Sequence, residues 1–268
     1  MQPASYRRYA TLIILVVFPA LACADEDLQK KLANPVADLV SLPFQWTTYD
    51  KVGPFGKPQH VLNFQPVYPM KLGGGWSLIH RAIVPFTSNP GMQPGQGRKN
   101  GLGDITYEGF FTPGSDEGKL IWGIGPAVVM RTATDDRLGQ GKWSAGPAFV
   151  ALQQAGKWSL GGLATQVWSF SGDDEREDVS AFSFQPIISY RLNPKYSLGY
   201  AGTITADWKE SRSGERWTVP LGLSLSILTK PKNFVPMNIT IGAGYNVIKP
   251  SYAADWFARF QVTFVLPK

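Results

Sequence analysis

The chain has 268 residues, 44% apolar, 13% aromatic and 17% charged, with 28 Gly, 21 Pro and a single Cys. That apolar content excludes a disordered chain, and one cysteine excludes a disulfide scaffold or a thiolate metal cluster. The formal net charge of +6 comes from basic residues scattered singly, with no basic helix or basic–aromatic strip, so no nucleic-acid partner is implied.

Arg7 and Arg8 precede an apolar run from Ala10 to Ala22, and Ala22-Cys23-Ala24 precedes the acidic Asp25, Glu26 and Asp27. This order predicts a secretory signal peptide over residues 1–24, cleaved after Ala24. The run is shorter than the roughly 18–20 apolar residues of a spanning helix. Ala20 stands where a lipoprotein signal carries a larger aliphatic, which argues against acylation of Cys23. Cleavage leaves a cysteine-free chain, suited to an oxidising compartment. In residues 25–42, Leu28, Leu32, Val36, Leu39 and Val40 suggest a short amphipathic helical segment, interrupted at Pro35.

From about residue 43 the apolar residues alternate. Trp256, Ala258, Phe260, Val262, Phe264 and Leu266 share one face, and Arg259, Gln261 and Thr263 share the other. Met237 to Val247, Trp217 to Ile227 and Tyr196 to Trp208 repeat the pattern. Upstream it is noisier, but 44–50, 60–70, 76–86, 103–112, 119–132, 143–153, 157–170 and 180–191 have strand composition and turn-rich borders. Pro66, Pro126, Pro147 and Pro186 fall inside such segments and warn against a regular ladder there. With the four C-terminal segments, the count is about twelve.

Longer connections (50–59, 87–102, 133–142, 171–179, 209–216, 249–255) alternate with shorter ones (71–75, 113–118, 154–156, 192–195, 230–233). An even number of strands with connections sorted by length predicts an all-β fold, an antiparallel transmembrane β-barrel over residues 43–268. Trp122, Trp143, Trp208, Trp217 and Trp256 fall near strand ends, where a bilayer's headgroup level accommodates an apolar ring with a polar N–H. Each strand then needs only a few lipid-facing residues, so no long apolar run is required. On this reading residues 25–42 lie on the periplasmic side, as a rim segment, a plug or a loose arm.

Particular stretches carry a family resemblance. Asn34-Pro35-Val36-Ala37-Asp38 through Pro43-Phe44-Gln45, Leu62-Asn63-Phe64-Gln65-Pro66-Val67, Arg81-Ala82-Ile83-Val84-Pro85 and Gly103-Asp104-Ile105 resemble a Gram-negative outer-membrane family. So do Phe110-Phe111-Thr112-Pro113, Trp122-Gly123-Ile124-Gly125-Pro126, Trp143-Ser144-Ala145-Gly146-Pro147, Trp217-Thr218-Val219-Pro220 and the Phe264 to Lys268 ending. That family is labelled MetA-pathway of phenol degradation, and its members often carry the names neuromedin U or transporter. The resemblance covers nearly all of the mature chain and implies an outer-membrane barrel linked by name to aromatic compounds. Trp46, where a polar residue is usual, departs from the pattern.

Little here suggests catalysis. His60 and His80 are isolated, without neighbouring Cys or paired carboxylates for a metal and without a serine at local spacing for hydrolysis. No cofactor is implied. With apolar faces toward lipid, the lumen receives Asn63, Gln65, Asp104, Glu108, Arg131, Gln185, Arg191, Asp207, Arg259 and Gln261, and less clearly Arg81 and Gln166. These side chains either brace a narrow lumen or form a polar constriction, with Asp104, Glu108 and Arg131 the leading candidates. The reading is a passive channel or transporter for small solutes, aromatic or hydrophobic ones included. Its alternatives are a structural or surface-binding barrel with a filled lumen and an outer-membrane lipid-acting enzyme. The expected partners are outer-membrane lipid and lipopolysaccharide, the assembly machinery through the C-terminal strand, and the solute.

Overall fold

The computed structural model describes residues 27–114 and 120–267. The expected signal peptide lies outside those residues. Alternation upstream becomes β1 (Val40–Val52), β2 (Lys57–Phe64), β3 (Val67–Gly73), β4 (Trp76–Asn89), β5 (Lys99–Leu102), β6 (Ile105–Pro113), β7 (Ile121–Met130) and β8 (Lys142–Ala155). The chain continues through β9 (Trp158–Gly172), β10 (Ser180–Arg191), β11 (Tyr196–Tyr200), β12 (Ile204–Asp207), β13 (Trp217–Thr229), β14 (Met237–Ile248) and β15 (Trp256–Leu266). Two short helices, α1 (27–32) and α2 (Ser213–Arg216), stand outside the sheet.

All fifteen strands belong to one antiparallel sheet, and the β9–β10 pairing joins its two ends. Three staves are interrupted: β2 and β3 at Gln65 and Pro66, β5 and β6 at Gly103 and Asp104, and β11 and β12 at 201–203. With each interrupted pair taken as one stave, the sheet is a closed barrel of twelve strands. Closure leaves no edge, which is the condition for a sheet to cross a bilayer.

The prolines sit where the ladder is already broken. Pro126 and Pro147 face each other across β7 and β8. The β6–β7 register jumps from Glu108/Ala127 to Phe111/Ile124, skipping Pro126. The β8–β9 register jumps from Ala145/Trp168 to Ala148/Thr165, skipping Pro147. Pro186 lies between the stretch of β10 that pairs β12 and the stretch that pairs β11. Each missing N–H therefore removes no paired bond on that side.

Two connections differ from the sequence expectation. Residues 50–59 are not a long loop: β1 and β2 extend to a turn at residues 53–56, where Gly53 and Gly56 adopt φ of 75° and 56°. Glycine makes that tight reversal accessible. Conversely, residues 230–236 match the length of the 173–179 connection, because Pro231 and Pro236 stop β13 and β14 from zipping further. The sorting of long from short connections is weaker than the pattern suggests.

Side-chain parity defines two faces. Outward residues include Leu223, 75% exposed, and Phe170, 66% exposed, while the inward Ile79, Phe110, Val150 and Leu152 are fully buried. The inward faces of β4 and β6–β10 form one apolar cluster, with Leu163, Val167 and Ile187 also in it. Each such side chain contributes roughly 1.5–3 kcal/mol through burial. The lumen is thus apolar along one wall, where the sequence reading expected polar side chains all round. β8 and β9 are apolar on both faces, which is why their alternation is noisy in the sequence.

The segment before β1 completes that wall. Helix α1 ends before Pro35, whose ring disfavours helix at Asn34. The Asn34 side-chain oxygen instead accepts the Val36 backbone N–H at 3.0 Å. The turn places Val36, 5% exposed, in the same cluster as Ile79 and Phe110. Gln154 Nε2 donates to the Lys30 carbonyl at 2.9 Å and ties α1 to the end of β8.

Candidate functional site

Across the lumen from the apolar cluster the wall is polar. Ser41, Pro43 and Gln45 of β1, Ser224 and Ser226 of β13, Asn238 and Thr240 of β14, and Arg259, Gln261 and Thr263 of β15 all face a cavity of about 470 Å³. Alternation produces this wall directly, since small hydroxyls and amides occupy every second position. At the end of the barrel where β1 begins, Lys31, Asn34 and Ala37 line both this cavity and a second one. That second cavity opens among Gly75, Trp76, Gly114 and Gly156 at the strand ends. Residues 27–39 therefore partition the lumen.

A hydrogen-bonded chain crosses the barrel at mid-height. Gln65 Oε1 accepts from Arg81 Nη2 at 3.0 Å, and Arg81 Nη1 donates to Glu108 Oε2 at 3.0 Å. Glu108 Oε1 accepts the Thr165 hydroxyl at 3.2 Å. Glu108 on β6 and Thr165 on β9 are separated in the sheet by β7 and β8, so their contact draws this side of the barrel together. Small residues permit it. Ala127, opposite Glu108, and Ala148, opposite Thr165, are buried without filling the space between. A Cβ on Gly146 would lie 2.0 Å from the Gln166 carbonyl oxygen, so only glycine fits where the strands bend. Side-chain exposures of 14% for Arg81 and 5% for Glu108 make this a buried ion pair.

Of the residues singled out in the sequence, Asn63, Gln65, Arg81, Glu108, Gln185, Arg259 and Gln261 line the one cavity. The others are elsewhere. Asp104 sits where β5 gives way to β6, and its Oδ1 accepts the Thr132 and Ala133 N–H groups at 3.2 and 3.1 Å. Its Oδ2 accepts the Gln140 N–H at 2.6 Å, which clips both ends of the 131–141 loop. Arg131 lies 3.7 Å from Asp173 at the same end of the barrel. Asp207 is exposed and accepts the Lys209 N–H at 3.0 Å. Arg191 is buried at the opposite end, donating to the Gly156 carbonyl. Sequence reasoning missed Gln45 and Tyr49 in this wall, although the polar half of the alternation contained the signal, and of the rim, plug or loose-arm alternatives for the N-terminal segment the structure has residues 27–39 lining the lumen.

The aromatic residues concentrate toward the strand ends on the outward face. Trp76 and Trp122 meet edge-on at 5.9 Å near one rim. Trp208 and Trp217 do so at 5.4 Å near the other, where Trp208 Nε1 donates to Gln166 Oε1 at 2.8 Å. Gln166 thus belongs to the outer face and not to the lumen. Trp143 and Trp256 begin β8 and β15 at that same rim. Both histidines face outward: His60 Nδ1 is 3.1 Å from the Thr48 hydroxyl, and His80 Nδ1 is 2.8 Å from the Tyr107 hydroxyl.

The model of the family described as Putative MetA-pathway of phenol degradation matches residues 52–254. The chain belongs to this family. Among solved structures, the family member is similar to the COG4313 outer membrane channel from Pseudomonas putida F1, at 14% identity and a TM-score of 0.61. That match covers 85% of this chain and 94% of the other. A NanC porin is also similar, at 12% identity and a TM-score of 0.48, with 85% of this chain and all of the porin covered (100%). No curated protein matches the sequence.

Proposed function

We propose that the protein is an outer-membrane channel for passive passage of small solutes that carry an apolar part. The observation that carries this is the two-sided lumen: one cavity bounded by the amides and hydroxyls of β1, β13, β14 and β15 and reached by Ile83, Leu163 and Ile187 from the other side. Such a wall solvates a polar group and a hydrocarbon group of one solute at once. The family membership and the barrel fold shared with an outer membrane channel support the location. No cofactor enters, and no step is catalysed: the solute's own gradient drives it.

On this reading residues 1–24 direct export and are removed after Ala24. The outward aromatic rims meet lipid and lipopolysaccharide, and β15 engages the outer-membrane assembly machinery. Segment 27–39 narrows the periplasmic side. Two measurements test the proposal. The folded protein migrates faster than the heated one on mild-detergent gels, and it gives discrete single-channel currents in a planar bilayer. Currents increase when Val36→Glu places a charge in the apolar cluster and expels the segment. A folded barrel silent in both forms would overturn the channel in favour of a structural barrel.

A further inference from the structure

One lumen charge is not used by the brace. Arg259 faces the cavity from β15. The other charged side chains in that lining are matched, Arg81 by Glu108 at 3.0 Å and Lys31 by Asp27 at 2.9 Å. Arg259 has no carboxylate partner among the described residues. It contacts the Tyr49 hydroxyl and the Phe257 ring face at 5.5 Å, and its Nε has no acceptor. Thr47, directly opposite Arg259 in the β1–β15 ladder and 1% exposed, has an unpartnered hydroxyl as well. A half-buried cation with no carboxylate to balance it is unfavourable, so whatever brings a negative charge to it is held.

The surroundings narrow the choice of ligand. A single guanidinium offers a planar fork that suits a carboxylate, and Gln45 and Gln261, opposite each other in the β1–β15 ladder, line the cavity at the next inward position along the wall. A polyanion would leave charge unbalanced and meet Glu108. Ile83, Leu163 and Ile187 line the same cavity and suit a hydrocarbon body. We propose that Arg259 anchors a binding site for the carboxylate of a small amphipathic monoanion, whose apolar part lies along that apolar wall. This rests on the channel reading only for the solute's route to the site.

Titration calorimetry on the full mature protein in detergent micelles tests the site without requiring conduction. Benzoate binds, while benzamide, which lacks the charge, and acetate, which lacks the ring, bind at least about tenfold more weakly. Arg259→Gln lowers benzoate affinity by about tenfold to a hundredfold, and Arg259→Lys keeps part of it. Gel mobility of the unheated protein establishes that each variant is folded. If Arg259→Gln does not fold, Arg259→Lys with the three probes decides. Benzamide binding as well as benzoate, acetate binding as well as benzoate, no benzoate binding, or an unaffected Arg259→Gln would each overturn the proposal. Arg259-dependent benzoate binding in a protein that passes no current would overturn the channel and leave the site. Currents without such binding would do the reverse.

Discussion

Glu108 is the side chain on which the lumen's shape depends most. Its carboxylate is almost fully buried and serves Arg81 on one side and Thr165 on the other. Removing one member of a buried pair leaves the other charge stranded, at a cost of about 3–5 kcal/mol. Glu108→Ala should therefore lower barrel stability by that amount, read as a shift in the guanidinium midpoint in micelles. The double variant Arg81→Met with Glu108→Leu should recover most of it, because the apolar cluster next to the pair accepts hydrocarbon. A double variant no more stable than the single one would sink this account. Glu108 was legible as an interior residue from alternation alone. Of its partners, Arg81 lies opposite it on the neighbouring strand, but Thr165 is three strands away and meets it only through the curvature of β6 to β9, which no local pattern encodes.

Among the connections, 131–141 shows how a strand interruption becomes a support. β5 stops at Leu102, and Asp104 turns its carboxylate to three backbone N–H groups of the loop that follows β7. Hydrogen bonds to a charged acceptor are each worth about 1.5–3 kcal/mol. Asp104→Ala frees both ends of the loop, and limited proteolysis of intact barrels should then cut within 131–141 while the strands stay protected. Unchanged cleavage would show that the ion pairs of the loop suffice. The strands themselves divide by legibility for one reason. β13, β14 and β15 face lipid and a polar wall, so their two faces differ and the alternation is plain. β7, β8 and β9 have lipid outside and the apolar cluster inside, so both faces are apolar and glycines such as Gly146, with Pro126 and Pro147, punctuate them. The 27–39 partition falls between these cases. Its apolar spacing was visible, but its destination depends on a cluster assembled from β4 and β6 to β10.

The closed sheet puts six connections at one end, and their charges form a paired rim. Lys99 Nζ reaches Asp135 at 2.6 Å. Lys142 and Lys209 both lie 3.5 Å from Asp178. Lys51 and Lys249 hold Asp255 at 2.9 and 3.3 Å, joining the first connection to the last. The direction of the shift at each of these three carboxylates follows. The Lys99 ammonium, with the Arg137 backbone N–H, lowers Asp135 to about 2 from its ordinary 3.8. Lys209 and Lys142 lower Asp178, and Lys51 and Lys249 lower Asp255. A carboxylate lowered in the folded state stabilises the rim fully above its ordinary value, and that contribution is lost as pH falls toward the folded value. Apart from the buried Lys142 side chain, the members of these pairs are partly or fully exposed, so salt screens them and each pair is weak. Their effect is on loop motion and not on the barrel. Current noise from single channels should stay constant from pH 8 to about 5. It should rise as the outer bath is acidified from about 4 toward 2, and the rise should begin at higher pH in about 1 M salt. In Asp135→Asn the noise should be raised already at neutral pH. Noise that stays flat as the bath is acidified to about pH 2, or that Asp135→Asn leaves unchanged, would show that the rim is not what steadies the loops.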